Sequence, residues 1–193
     1  MSQVIADQKR ALRLHIRECQ QPFSPEARVK ASLALCEQLR RQAVWQDAQC
    51  ILLFSPLSDE PDIRPLLEEA LSSRKVVALP RYDSQRREYE VCQVSSLADL
   101  RLAHFGIMEP KPDLPALKLN RLDFVLVPGV AFDATGRRLG RGKGYFDRLL
   151  AKVQGHKCGV AFEWQVVPAV PVDEHDVFLN SLLTPSRWLR SSG

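Results

Sequence analysis

No stretch of the 193 residues approaches the roughly 20 consecutive apolar positions that a membrane-spanning helix needs. The opening segment from Met1 to Arg10 is polar and lacks the apolar block of a secretion signal, so the expected address is cytoplasmic, with no membrane partner. No C-x-x-C pair occurs. The five cysteines, Cys19, Cys36, Cys50, Cys92 and Cys158, are odd in number and widely spaced, which argues against zinc or redox work and leaves reduced packing residues. The four histidines, His15, His104, His156 and His175, show neither a serine-histidine-aspartate arrangement nor a metal spacing, and hydrolase chemistry is disfavoured. Aromatic residues are only 7%, and the 27 lysines and arginines are not gathered into a block interleaved with them, so a face for single-stranded nucleic acid is not expected. Internal repeats and low-complexity tracts are also lacking.

What is present is ordinary globular composition, 45% hydrophobic and 26% charged, in a length that suits one domain spanning residues 1–193. A formal charge of +4 favours anionic partners. Ile5, Leu12, Ile16 and Cys19 lie near one face of a helix, with Lys9, Arg13 and Arg17 recurring every fourth residue as a solvent-facing basic ridge. Ser24-Pro25-Glu26 starts a second helix, whose expected buried stripe is Val29, Leu33, Cys36 and Leu39. Apolar strands are expected at Cys50–Phe54, at Lys75–Leu79 closed by Pro80, at Leu122–Val127 and at Cys158–Phe162, with a weaker one at Glu88–Val94. Helices are expected at Ile63–Leu71 and about Tyr145–Val153, and prolines 110, 112 and 115 mark an irregular loop. Strands alternating with helices imply an α/β fold with a mostly parallel sheet covered on both sides.

The most informative stretch runs Arg137-Arg138-Leu139-Gly140-Arg141-Gly142-Lys143-Gly144-Tyr145-Phe146-Asp147-Arg148. Three alternating glycines let the backbone approach a ligand, Arg138, Arg141 and Lys143 add positive charge, and a helix beginning at their end turns its free N–H groups toward them. A phosphate cradle and a flexible turn with a solvated basic rim both fit. A Walker A loop does not, because Gly144 follows Lys143 where serine or threonine is required; nor does the dinucleotide fingerprint, whose third glycine would be Tyr145. Asp147 either favours its helix end through the helix dipole or holds Mg²⁺ beside phosphates.

These motifs resemble the 5-formyltetrahydrofolate cyclo-ligase family, also called methenyltetrahydrofolate synthetase. The resemblance runs through Lys9-Arg10-Ala11-Leu12-Arg13, Phe54-Ser55, Glu60-Pro61-Asp62, Phe105-Gly106-Ile107-Met108-Glu109-Pro110, the glycine turn, and Pro171-Val172-Asp173-Glu174-His175-Asp176. It implies a three-layer α/β/α sandwich and a reaction that uses ATP and Mg²⁺. It implies ATP contacts at Lys9, Arg13 and the stretch Arg138, Leu139, Gly140, Arg141, Gly142, Lys143, Gly144, Tyr145 and Phe146. It further implies folate contacts at Ser55 and Glu60 and magnesium ligands at Asp147 and Asp176. Three positions depart from the pattern: Phe146 stands where a second tyrosine is common, Lys143 where glycine is frequent, and Asn180 where an acidic residue is common.

In the reaction that the resemblance implies, the formyl oxygen on N5 attacks the γ-phosphate, and N10 then closes the ring as phosphate leaves. Arg138, Arg141, Lys143 and Arg148 are the candidate catalytic cations. Phe54, Tyr82, Phe105 and Tyr145 are candidate walls around the pterin. The expected partner is a small folate, polyglutamated forms included, met by a monomer or weak oligomer. Two rivals remain: a phosphate-ligand enzyme of the sugar-phosphate isomerase or coenzyme A transferase type, and a nucleic-acid-binding module driven by charge.

Overall fold

A computed structural model describes residues 3–103 and 106–191; His104 and Phe105, with the wall expected at Phe105, lie outside the described residues. The centre is a seven-stranded sheet of order β11-β10-β9-β6-β1-β2-β3. Its strands are β1 (Cys50–Leu52), β2 (Val76–Asp83), β3 (Glu88–Val94), β6 (Phe124–Val127), β9 (His156–Val160), β10 (Ser181–Leu183) and β11 (Trp188–Arg190). The five inner strands pair in parallel, while β3 and β11 close the edges antiparallel.

Residues along each inner strand alternate between the two faces of the sheet. Ile51, Leu53, Phe124, Leu126 and Val160 meet α2 (Pro25–Arg40), α3 (Ala43–Gln46) and α4 (Arg64–Leu71) on one side. Cys50, Leu52, Val125, Val127 and Leu182 meet α5 (Tyr145–Leu150) on the other. Two buried faces explain the continuous apolar runs of these strands, and the three layers follow.

Ser24 caps α2 as expected, its hydroxyl accepting from the Ala27 N–H at 3.2 Å with Pro25 in the first turn. The stripe is rotated in part: Cys36 and Leu39 are buried as expected, but Val29 and Leu33 are 60% and 53% exposed, and Ser32 and Leu35 are buried in their place. Ser32 tolerates burial because its hydroxyl accepts from the Asp62 N–H at 3.0 Å. Strand β2 does not stop at Pro80. Ala78 turns its carbonyl to β1, accepting from Leu53 N–H at 3.0 Å, and Pro80, two residues on, presents the same side where β1 has already ended. Its missing N–H therefore costs no ladder bond.

The proline-rich region is also more regular than expected, since β4 (Leu100–Leu102) pairs antiparallel with β5 (Met108–Pro110). A second hairpin, β7 (Ala131–Phe132) with β8 (Arg138–Leu139), carries the start of the glycine turn. Asp133 fixes its bend, accepting from the Thr135 N–H at 2.9 Å, the Thr135 hydroxyl at 2.6 Å and, across the chain, the Val170 N–H at 2.9 Å. Against this hairpin packs α1 (Gln3–Gln20), through a small core of Ile16, Ala131, Leu139 and Val170.

Candidate active site

The carboxyl ends of β1, β2 and β6 open onto a cleft of about 450 Å³, and Ser55, Tyr82 and Gly129 from the segments at or beyond those ends line it. In parallel sheets this is where ligands bind, at the point where successive crossovers leave in opposite directions. Glu60, Tyr89, Met108, Glu109, Arg138, Arg141, Lys143, Tyr145 and Asp147 complete much of the wall. A smaller cavity of about 140 Å³ lies behind it, lined by Arg13, Arg17, Arg141, Trp164 and Gln165 among others. Arg141 and Gly129 line both.

The glycine turn folds as an open loop in which Gly142 and Gly144 have φ of +100° and +65°, a region that favours glycine. The helix after it is short. Helix α5 has six residues rather than reaching Val153, so guanidinium groups rather than a long helix dipole supply the attraction for anions here. Arg141 is held by Asp59 at 2.6 Å and by Glu60 at 3.0 Å. Glu60, only 6% exposed, also accepts from the Leu57 N–H at 3.0 Å. Burial nevertheless holds its carboxyl above the usual range, against the opposing effects of that N–H and of Arg141.

The aromatic wall is larger than expected. Tyr82 and Tyr145 share a hydroxyl hydrogen bond of 3.0 Å, and Tyr89 packs against both, with ring centroids 6.0 and 5.8 Å away. Burial, with the charges of Glu109 and Glu60 nearby, pushes the Tyr89 hydroxyl up to about 12. Sequence reasoning missed Tyr89 and Glu109 as site residues. Tyr89 sat unremarked in a strand of weak alternation, while Glu109 was visible inside the Gly106–Pro110 motif. Phe54 lines the cleft as expected, and Phe146 joins it with the aromatic group.

The remaining expected residues divide into those facing the cavities and those behind them. Gly140, Lys143 and Gly144 face the larger cleft, whereas Leu139 is buried in the α1 core and lines neither cavity. Arg13 faces the smaller cavity and donates from Nε to the Gly140 carbonyl at 2.9 Å; burial lowers its pKa, opposed by Asp176. Arg138 is buried, pairs with Asp147, and donates to the Pro128 carbonyl at 3.2 Å. Arg148 lines neither cavity; its guanidinium lies 5.1 Å from the Tyr145 ring centroid and donates to the Arg87 carbonyl at 2.8 Å.

Lys9 corrects the expectation of a solvent-facing ridge. It is 6% exposed, and its Nζ sits 3.1 Å from Asp173 and 2.5 Å from Asp176, because α1 lies against the segment that carries both aspartates. Asp147 thus stands in the cleft wall and Asp176 on the Lys9 pair, with the Arg13–Gly140 contact reaching the loop from the Asp176 side. Among the described residues no three side chains of metal-ligating type form a cluster. Asn180, one of the departures, has a backbone role: its Oδ1 accepts from the Lys157 N–H at 2.8 Å beside β9.

Comparison with known proteins bears on this geometry directly. Residues 5–185 match the model of the 5-formyltetrahydrofolate cyclo-ligase family. The chain belongs to that family. A mouse 5-formyltetrahydrofolate cyclo-ligase is 30% identical, over 91% of this chain and 92% of the relative, and a Mycolicibacterium smegmatis one is 40% identical over 72% and 75%. The solved structure of Aquifex aeolicus 5,10-methenyltetrahydrofolate synthetase superposes with a TM-score of 0.85 at 35% identity, covering 96% of this chain and 93% of the other. Family membership makes the chain an enzyme of the ligase class, and the α/β architecture is that of the solved cyclo-ligase relative. Among the described residues no helix is long and apolar enough to cross a membrane.

Proposed function

We infer that the chain closes 5-formyltetrahydrofolate into 5,10-methenyltetrahydrofolate with ATP and Mg²⁺, acting as one cytoplasmic domain. The observation that carries this reading is the pair of cavities with Arg141 and Gly129 as common wall. The larger is aromatic and within the size range of small-molecule sites, with two buried carboxylates to accept from pterin N–H groups. The smaller gathers three arginines, as a polyphosphate requires. The wall between them is where a γ-phosphoryl group would meet a formyl oxygen.

Arg141 and Lys143, on either side of Gly142, would hold the transferred phosphoryl, and Gly144, which lines the cleft, keeps a side chain out of the approach. Arg138 supports the loop from behind and positions Asp147. Its buried Nε has no hydrogen-bond partner, which suits a donor whose acceptor arrives with an anionic ligand. The formyl oxygen bonds to the γ-phosphorus as ADP leaves; N10 then bonds to the formyl carbon, loses its proton, and phosphate leaves. Glu60 and Ser55 fix the folate beside this path.

The donor set fits magnesium carried in with the nucleotide, because that ion needs only one or two protein carboxylates and fills its octahedron with phosphate oxygens and water. Asp147 and Asp176 would hold it, and the ion would neutralise charge on the phosphates. Both carboxylates are paired with protein cations, Asp147 with Arg138 and Asp176 with Lys9.

The test is the absorbance of methenyltetrahydrofolate formed from 5-formyltetrahydrofolate. Product with ATP and Mg²⁺ together, and none without either, is expected; ring closure without ADP release, or no product at all, would overturn the reading. The second outcome would leave the isomerase or transferase type of enzyme as the better account.

A further inference from the structure

The two cavities meet at the turn Pro128-Gly129-Val130, just beyond β6: Pro128 and Gly129 line the larger, Gly129 and Val130 the smaller. The backbone of this turn is almost fully taken up by protein partners. The Pro128 carbonyl accepts from Arg138 Nη1 at 3.2 Å. The Gly129 and Val130 carbonyls accept from Gln165 Nε2 at 3.0 and 3.2 Å, and the Val130 N–H donates to the Leu139 carbonyl at 2.7 Å. Proline has no N–H. The Gly129 N–H is therefore the single polar backbone group of the turn without a partner among the described residues. A donor left in this state is completed by water or by a ligand.

Gln165, which lines the smaller cavity and is only 3% exposed, holds the turn in place. It closes a short 3-10 helix (Glu163–Gln165), and its Oε1 accepts from the Phe162 N–H at 2.8 Å while Nε2 serves the two carbonyls. An amide accepts at one end and donates twice at the other, so glutamate, lysine or methionine cannot reproduce this clamp. Phe132 and Arg138 restrain the turn as well, since a Cβ at residue 129 would lie 2.6 Å from Phe132 Cζ and 3.0 Å from Arg138 Cγ. The peptide between Pro128 and Gly129 is trans, so the Gly129 N–H points opposite to the Pro128 carbonyl and away from the Arg138 nitrogen that holds it.

We propose that Gln165 is a positioning residue for phosphoryl transfer, holding Gly129 so that its N–H donates to the phosphoryl group as it crosses between the cavities. The proposal rests on the ATP reading given above. In that step the bond from the γ-phosphorus to the ADP oxygen breaks and the bond to the formyl oxygen forms. The Gly129 N–H keeps its proton throughout and donates a hydrogen bond to a non-bridging oxygen. Arg141 in the same wall supplies charge while held by Asp59 and Glu60, and the backbone N–H adds a donor whose direction the fold sets. A misplacement of about 1 Å can cost about 100-fold in rate, so loss of the clamp should lower kcat by about 10- to 100-fold with little change in binding.

Nitrogen-15 NMR of the parent reads the Gly129 amide without turnover, with Mg-ADP alone and with Mg-ADP plus aluminium fluoride, which imitates a phosphoryl group in transfer. The fluoride should shift the Gly129 proton and slow its exchange where ADP alone does not. A Gly129 amide that stays unmoved while Gly140 and Gly144 respond would overturn the donor; fluoride without effect on any of these amides would sink the phosphoryl-transfer reading itself, and the proposal with it. Gln165→Met keeps the length and removes the clamp, so kcat should fall by about 10- to 100-fold with KM for ATP and for 5-formyltetrahydrofolate within about twofold of the parent. Gln165→Glu keeps the acceptor for the Phe162 N–H and regains a donor only when protonated, so its kcat relative to the parent's should rise as pH falls. A Gln165→Met variant that melts earlier but turns over like the parent, or that raises KM with kcat unchanged, would make the glutamine structural support only and overturn the proposal. Should neither variant fold, the Gly129 amide of the parent decides.

Discussion

Replacing Lys9 with alanine separates a buried structural cation from a surface ligand. The Nζ lies between two aspartates, and the three side chains are only 8%, 11% and 14% exposed. Removing the ammonium leaves two carboxylates close together, joined by the Asp173 N–H donating to Asp176 at 2.8 Å. Breaking a buried pair by deleting one partner costs about 3 to 5 kcal/mol, against less than about 0.5 kcal/mol for an unpartnered surface charge. For a chain of this size each kcal/mol moves Tm by about 2 to 4 °C, so Lys9→Ala should melt about 6 to 20 °C below the parent. The Asp173 carboxyl is held below its usual range although partial burial opposes the shift, by the His175 N–H and then by Lys9. A depressed carboxylate contributes stability above its unfolded pKa of 3.8 and loses it as pH falls through the folded value, so the gap between parent and variant should narrow in acid. Circular dichroism melts at pH 7 and near pH 3 read both effects, and a double-mutant cycle with Asp176→Asn isolates the coupling. A Tm within about 2 °C of the parent at pH 7, with KM for ATP alone altered, would refute the reasoning and restore the lysine as a free nucleotide contact.

Asp147→Asn should require more Mg²⁺ for half-maximal rate or lose kcat at saturating ATP, because the amide keeps an acceptor but not the charge; an earlier melt with the parent's Mg²⁺ titration and turnover would make the aspartate only a partner of Arg138. Gly142→Ala should raise KM for ATP and lower Tm by about 2 to 8 °C. The φ of +100° is poorly adopted by alanine, while the new methyl would meet Arg13 only at ordinary contact distance, so an unchanged KM would show that the loop tolerates another backbone path.

The parallel core was legible because two buried faces demand continuous apolar strands, and Cys50–Phe54 and Leu122–Val127 carry that pattern openly. Strands β10 and β11 were not, since Ser181 to Leu183 and Trp188 to Arg190 are three residues each, too short to show a period. The phase of α2 was misread because Ser32 buries a hydroxyl whose partner, the Asp62 N–H, lies 30 residues away. In the site, the glycine turn declared its backbone chemistry, but the burial of Arg138 and Lys9 depends on partners that only the fold supplies. Asp133 had a local signal, the run Asp133-Ala134-Thr135-Gly136, typical of a side-chain-capped turn. Tyr89 faces the cleft because β3 pairs with β2 in a register that no short-range pattern announces.

The docking of α1 on the β7–β8 hairpin has a consequence for synthesis. Helix α1 is made more than 100 residues before the hairpin it docks on, yet its anchor Ile16 packs on Leu139 and Val170, and Lys9 bonds to residues 164 and 167 positions away. Such distant contacts form only after the chain has been made as far as Asp176. The helix therefore waits as an amphipathic segment with an uncovered face, open to chaperones and proteases, until the segment from Ala131 to Asp176 arrives. A chain broken off before residue 170 could build much of the sheet and still lack the surface that seats Arg13 against Gly140. Synthesis through Asp176 is thereby coupled to assembly of the smaller cavity, and fragments that stop before it should be cleared rather than accumulate half-built.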